Sequence, residues 1–226
     1  MDLATRVARF AQADLYVVIT EAFCAGRSGI VVLEDCLRAG VRLIQFREKN
    51  CSTAELVRKG EAFADRCREA GALLIVNDRV DIALAIGADG VHLGQDDFPV
   101  AAARRIAPDL LVGSSTHNLE EALAAEATGA TYINIGPIFA TQTKDVPTGV
   151  VGPEMIDVIR PRVSIPFTCM GGLKGHNLHE VVNRGTRRVA VVTAVTAAPD
   201  VYTAAKELRL AIHAARVQKI IRKPGV

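Results

Sequence analysis

Arg47 and Lys49 lie in the stretch QFREKN at residues 45–50, where an apolar run ends in two positive charges spaced by one residue. The period of two along an extended chain puts both on one face, and Gln45 continues that face inward. Such a pair could be solvated and neutralised by Glu48, or it could face a cavity. In a cavity, a guanidinium grips phosphate oxygens in a fork and an ammonium supplies a compact charge. A third cation, Lys144, falls in the long polar stretch GPIFATQTKDVPTGVVG at 136–152, whose length and content of threonine and glycine suggest a lid or ligand loop. Two or three fixed cations around one cavity are what a pyrophosphate requires.

Carboxylates complement these cations. Asp78 follows the run ALLIVN, and Asp96 and Asp97 follow GVHLGQ. Magnesium accepts few carboxylates and keeps several waters while bridging phosphate oxygens, so two aspartates from neighbouring strand ends suit it. Asp78 could instead cap a helix starting at residue 80, and spacing does not choose between Asp96 and Asp97. The pair Gly171–Gly172 frees backbone amides that, with a short helix after the following strand, can form a phosphate pocket. His92 reads as an interior hydrogen-bonded residue. His117 lies nearer the rim and is open to either a structural or a functional reading. His176, His179 and His213 fall in helical stretches without carboxylate partners, and no zinc-ligand spacing emerges. The five cysteines, 24, 36, 51, 67 and 169, are odd in number and lack a CxxC pair, which favours free thiols in a reducing compartment. Cys169, next to the glycine pair, reads as a small buried filler.

The elements that must position these residues alternate along the chain. Eight apolar, β-rich runs stand at 15–20, 41–46, 72–76, 90–93, 110–114, 131–135, 164–168 and 188–192. Helical stretches fall at 29–39, 53–70, 80–86, 98–106, 118–128, 153–160, 175–184 and 200–216. Ser52 with Glu55, and Asn118 with Glu121, have the spacing of capping boxes. Near-continuous apolar strands alternating with helices imply a parallel sheet covered on its outer face. Eight such units in 226 residues fit a single α/β domain, a closed (βα)8 TIM barrel, better than an open doubly wound sheet. Residues 1–14 read as a helix outside the repeat, suited to cap the barrel base or to meet another subunit, and 217–226 as a basic solvated tail. Active sites of such barrels lie at the C-terminal strand ends. Gln45, Arg47, Lys49, Asn77, Asp78, Asp97, Ser115, Thr141, Thr143, Lys144, Gly172 and Thr193 all fall there.

Composition excludes several partners. The chain is 50% hydrophobic and 23% charged, with a net charge of +2, too small to imply a polyanionic polymer. Only 4% of residues are aromatic, which argues against stacking platforms for single-stranded nucleic acid. The opening MDLATRVARFAQAD is no secretory signal, and no run of 18 apolar residues is available to cross a bilayer. A cytoplasmic protein with neither nucleic acid nor membrane as partner is expected.

Taken in order, LYVVIT, QFREK, VNDRVDIALAIGADGVHLGQDD, GSSTH, NIGPIFATQTK, MGGL and VAVVTAV resemble the thiamine-phosphate synthase family, which also contains the thiazole tautomerases. The resemblance runs from about residue 14 to 212. It implies a barrel that joins 4-amino-5-hydroxymethyl-2-methylpyrimidine diphosphate to 4-methyl-5-(2-phosphooxyethyl)thiazole, with magnesium as cofactor and a homodimer as the usual assembly. By resemblance, Gln45 holds the aminopyrimidine, and Ser115 sits beside the pyrimidine and diphosphate. Arg47, Lys49, Asn77 and Lys144 hold the diphosphate, with Arg47, Lys49, Lys144 and Ser115 as the catalytic group. Asp78 and Asp97 take the metal, Asp97 being preferred to Asp96 on this ground alone. Thr141, Thr143, the Gly172 amide and the Val192–Thr193 turn take the thiazole phosphate. The chain departs from the family at Cys169–Met170, where small or branched apolar residues are usual, and at GTRRV (185–189). The rival readings are a thiazole tautomerase, whose members typically lack the glutamine of QFREK and the TQTK pattern, and a non-catalytic regulator that binds thiazole or thiamine phosphate.

Overall fold

A computed structural model describes residues 1–143 and 149–221. Eight parallel strands close into a barrel in chain order: β1 (Leu15–Ile19), β2 (Leu43–Phe46), β3 (Leu73–Asn77), β4 (Gly90–Leu93), β5 (Leu111–Thr116), β6 (Tyr132–Ile135), β7 (Phe167–Cys169) and β8 (Arg188–Val191), with β8 returning to β1. The helices are α1 (Leu3–Gln12), ahead of the first strand, and α2 (Gly29–Arg38), α3 (Thr53–Glu69), α4 (Val80–Ala85), α5 (Val100–Ile106), α6 (Leu119–Ala127), α7 (Met155–Ile159), α8 (Leu178–Asn183), α9 (Thr193–Thr196) and α10 (Val201–Ile221). The expected (βα)8 barrel is therefore the fold. Among the described residues no helix is long and apolar enough to cross a membrane.

The strands read as unbroken apolar runs because both faces are covered. On β1, Leu15, Val17 and Ile19 belong to the layer between sheet and helices, while Tyr16 points into the barrel with Leu43, Leu73, Ile75, Leu111, Tyr132 and Ala190. Helix α1 seals the barrel base: Phe10 is 1% exposed, its ring lies 4.4 Å from that of Tyr132, and the Arg188 guanidinium stacks over it at 5.1 Å. Helix α1 thus caps the base, one of the two roles open for residues 1–14.

Helix starts follow their caps. The Ser52 hydroxyl accepts from the Glu55 amide at 3.3 Å and the Glu55 carboxylate accepts from the Ser52 amide at 3.0 Å, a full capping box. At α6, Asn118 caps the Glu121 amide at 2.9 Å, but the Glu121 carboxylate returns to the His117 amide, one residue earlier than the box requires. The seventh strand begins later than the apolar run suggests, because Pro166 has no N–H for the ladder and supplies only its carbonyl, to Ile133 at 3.1 Å. Strand β5 runs two residues longer, so Ser115 and Thr116 are strand residues, and Asn77 likewise ends β3. Helix α10 continues to Ile221, past the expected end at 216.

Candidate active site

The ends of β2, β3 and β4 bring cations and carboxylates to one mouth. The Arg47 amide extends the β1–β2 ladder to the Ile19 carbonyl at 3.0 Å, and its guanidinium donates to the Thr20 hydroxyl at 3.2 Å. Burial pulls the Arg47 pKa down from its ordinary value, while the nearby charges of Asp78 and Glu48 oppose the shift. Lys49 reaches over from the loop after β2 to ion-pair with Asp78. Asp78 itself is held at φ +61°, with its amide donating to the His92 carbonyl at 2.8 Å. A left-handed conformation at a residue other than glycine costs on the order of 1 kcal/mol and is a common mark of functional sites. Here it turns the carboxylate toward Lys49 rather than toward α4, whose first turn has no side-chain cap. The capping role open for Asp78 is thus not the one it plays.

Asp97 meets Asp78 across the mouth. Its carboxylate accepts from the Gly94 amide at 2.7 Å. Its pKa is raised, first by burial and then by the hydrogen bond and charge it shares with Asp78, against a smaller opposing effect of Lys49. Asp96 is exposed, whereas Asp97 is half-buried beside Asp78. Two carboxylates in mutual hydrogen-bond reach fit a hard divalent cation that fills its remaining positions with water and phosphate oxygens. Among the described residues no cluster of three or more His, Cys, Asp or Glu side chains forms a closed metal cage.

Across the barrel axis, the ends of β5 to β8 surround a cavity of about 100 Å³ lined by Ser115, Thr141, Thr143, Gly172, Val192 and Thr193. Thr141 and Thr143 share a hydroxyl contact of 3.0 Å. The glycine pair is required by close approach as well as by backbone angle. At Gly172, φ +58°, a Cβ would stand 2.5 Å from the Ala140 carbonyl oxygen, and at Gly171, φ +108°, 2.6 Å from Pro137 Cα. The backbone of the 136–143 segment is therefore laid directly on the 171–172 turn, where the Phe139 amide donates to the Gly171 carbonyl at 3.1 Å. The amides of Thr193 and Ala194, at the start of α9, precede any carbonyl they could bond within that helix.

A buried polar chain crosses the barrel between the two halves. Gln45, 3% exposed, donates through Nε2 to the Tyr16 hydroxyl at 2.7 Å. The Tyr16 and Tyr132 hydroxyls lie 3.3 Å apart. His92 Nδ1 is 3.1 Å from the Tyr132 hydroxyl, and His92 Nε2 is 3.0 Å from Ser115 Oγ. His92 is interior and hydrogen-bonded, as its place in the strand suggests. His117 lines the cavity and pairs with Glu121 at 2.8 Å.

Of the residues expected at the site, Arg47, Lys49, Asp78 and Asp97 share one mouth, while Ser115, Thr141, Thr143, Gly172, Val192 and Thr193 share the cavity. Gln45 lies inside the barrel, and Asn77 ends the interior face of β3 above Leu73 and Ile75. Lys144 lies outside the described residues. Sequence reading missed Asn134 and Thr168. Asn134 lines the cavity, with its Oδ1 accepting from the buried Thr168 hydroxyl at 2.7 Å and its Nδ2 left to donate. The signal was available as an amide at an inward position of an otherwise apolar strand. Tyr16 and Tyr132 were hidden because phenols inside apolar runs look like core rings.

Comparison with known proteins agrees over nearly the whole barrel. The family model described as thiamine monophosphate synthase matches residues 15–195. A thiamine-phosphate synthase from Chloroflexus aurantiacus is 47% identical over 195 residues, which span 86% of this chain and 90% of the relative. Another, from Pelotomaculum thermopropionicum, is 41% identical over 202 residues, spanning 89% of this chain and 93% of the relative. The solved structure of a thiamine phosphate pyrophosphorylase from Pyrococcus furiosus superposes with a TM-score of 0.85 at 38% identity, covering 92% of this chain and 98% of that one. With the barrel, its rim and these matches in agreement, the chain belongs to the thiamine monophosphate synthase family.

Proposed function

We propose that this protein condenses 4-amino-5-hydroxymethyl-2-methylpyrimidine diphosphate with 4-methyl-5-(2-phosphooxyethyl)thiazole, giving thiamine phosphate and diphosphate. The observation that carries the reading is the Asp78 carboxylate, held in a left-handed turn between Lys49 and Asp97 with Arg47 close by. Such a cluster has no evident use in a barrel that handles a single monophosphate.

Arg47, Lys49, Asn77 and Lys144 take the diphosphate in this reading, and Asp78 and Asp97 would hold magnesium. The chemistry a magnesium ion supplies there is neutralisation of charge on the leaving phosphates. Gln45 and Ser115 hold the aminopyrimidine. Thr141, Thr143, the Gly172 amide and the Val192–Thr193 turn take the thiazole phosphate in the cavity across the axis. The pyrimidine amino group feeds electron density toward the methylene carbon as the diphosphate departs, and the thiazole nitrogen captures that carbon. The nitrogen has no proton to lose, so no nucleophile and base pair is needed. The task of the protein is electrostatic: fixed donors meet charge as it develops on the leaving group, where one preorganised donor is worth ~3 kcal/mol.

Incubating the purified protein with both substrates, with and without magnesium, and following thiamine phosphate by mass tests the reading. Product is expected only when magnesium and the diphosphate substrate are both present; its absence under those conditions would overturn the assignment. We further propose a cytoplasmic homodimer acting on these small molecules alone. Light scattering on the eluting protein would refute the dimer by returning a mass near that of one chain.

A further inference from the structure

The polar chain across the barrel has a direction. Gln45 gives an N–H to the Tyr16 hydroxyl, so the one Tyr16 proton is left to point at Tyr132. Tyr132 then accepts from Tyr16, and its own proton has one acceptor within reach, His92 Nδ1. That nitrogen is therefore unprotonated, Nε2 carries the imidazole hydrogen, and Nε2 donates to Ser115 Oγ. Burial pushes both phenols well above their ordinary pKa, so each holds its single proton.

We infer that Tyr16, Tyr132 and His92 are positioning residues whose one-way hydrogen-bond chain holds Gln45 with its carbonyl oxygen, and Ser115 with its hydroxyl proton, turned toward the substrate. Among the described residues neither the Gln45 Oε1 atom nor the Ser115 hydroxyl proton has another partner, and Ser115 opens on the cavity. An acceptor at Gln45 and a donor at Ser115 answer the two kinds of group that a 4-aminopyrimidine presents, an amino group that donates and ring nitrogens that accept. This assignment rests on the function proposed above.

The opposite direction is also self-consistent, with Ser115 donating at one end and Gln45 accepting at the other. Reaching it requires four hydrogen bonds and the imidazole tautomer to reverse together. An amide joined to a single hydroxyl can turn over when that hydroxyl rotates, whereas an amide joined to the whole chain cannot. Discrimination is therefore stored in residues that never touch the ligand, since a buried group built to accept rejects an acceptor placed opposite it.

The test compares binding of two unreactive probes by calorimetry, thiamine phosphate and its analogue with a 4-oxo group in place of the 4-amino group, in the intact chain and in Tyr16→Phe and Tyr132→Phe. The intact protein is expected to prefer the amino compound by about 30-fold or more, and each variant to narrow that preference to about threefold. Tyr132→Phe is the decisive variant, because Tyr132 makes no hydrogen bond to Gln45 and retains the ring that packs on Phe10. Melting temperatures within a few degrees of the intact protein would show that both variants fold. If Tyr132→Phe keeps the full preference, the chain carries no direction and the inference falls while the proposed function stands. If the intact protein binds neither probe, both fall together.

Discussion

Asp97 faces Asp78 across the barrel mouth, near enough that the Asp78 carboxyl group raises the Asp97 pKa. Like charges so close are unfavourable without a cation between or beside them, and Lys49 on the Asp78 side offsets part of the repulsion. Replacing either aspartate by asparagine keeps the shape and removes a ligand charge. Asp78→Asn and Asp97→Asn are each expected to raise the magnesium concentration for half-maximal rate by about tenfold or more, with an unchanged far-ultraviolet dichroism spectrum. A magnesium titration unaltered in both variants would rule out the metal site.

Lys49 and Lys144 are assigned to the leaving group, where each contributes only as charge develops. Lys144→Ala and Lys49→Ala are expected to lower the condensation rate about 100-fold each. Steady-state assays showing the rate unchanged would remove the residue concerned from the diphosphate site.

Gly172 combines a left-handed backbone with a carbonyl pressed against it. Gly172→Ala places a methyl group 2.5 Å from the Ala140 oxygen and 2.8 Å from Phe139 Cβ, so the segment lying on the turn must move. The expected outcome is a loss of about 1–3 kcal/mol in urea unfolding, together with a rise of about tenfold or more in KM for the thiazole phosphate and a smaller change for the pyrimidine substrate. Equal effects on the two substrates would separate Gly172 from the thiazole site.

The thiols answer to pH in a defined direction. Burial pushes Cys24 up to about 11 and Cys67 and Cys169 up to about 12, and raises Cys36 as well. Alkylation of the native protein between pH 7 and 9 is therefore expected at the half-exposed Cys51 alone, and at all five cysteines after unfolding. A buried thiol whose folded pKa is raised binds its proton more tightly folded than unfolded. Stability should thus fall as pH rises above about 8.5, where the unfolded thiols begin to ionise. Peptide mapping that finds Cys169 labelled at pH 8 would contradict this burial.

The barrel was legible in the sequence because a parallel sheet covered on both sides demands uninterrupted apolar runs, and the eight runs can be counted. Their ends were less so. Ser115 and Thr116 look like loop residues by polarity, yet their backbones stay in the β5 ladder, since ladder bonds ignore side-chain type. Pro166 reads as part of an apolar run although it cannot donate to the ladder. The cations and aspartates at the mouth were found from strand-end chemistry. Nothing in the local sequence separates Asp96 from Asp97, and the loop fold that brings the Asp97 carboxylate to the Gly94 amide is a tertiary feature. The chain from Gln45 to Ser115 joins five strands, and no spacing within any one of them reveals it.

Phe10 and Arg188 stopper the far end of the barrel. The molecule is consequently a cul-de-sac with one doorway. The interior above Phe10 and Arg188 is filled by side chains such as Leu73, Leu111 and Tyr132, so small molecules meet this barrel at the rim formed by its C-terminal strand ends.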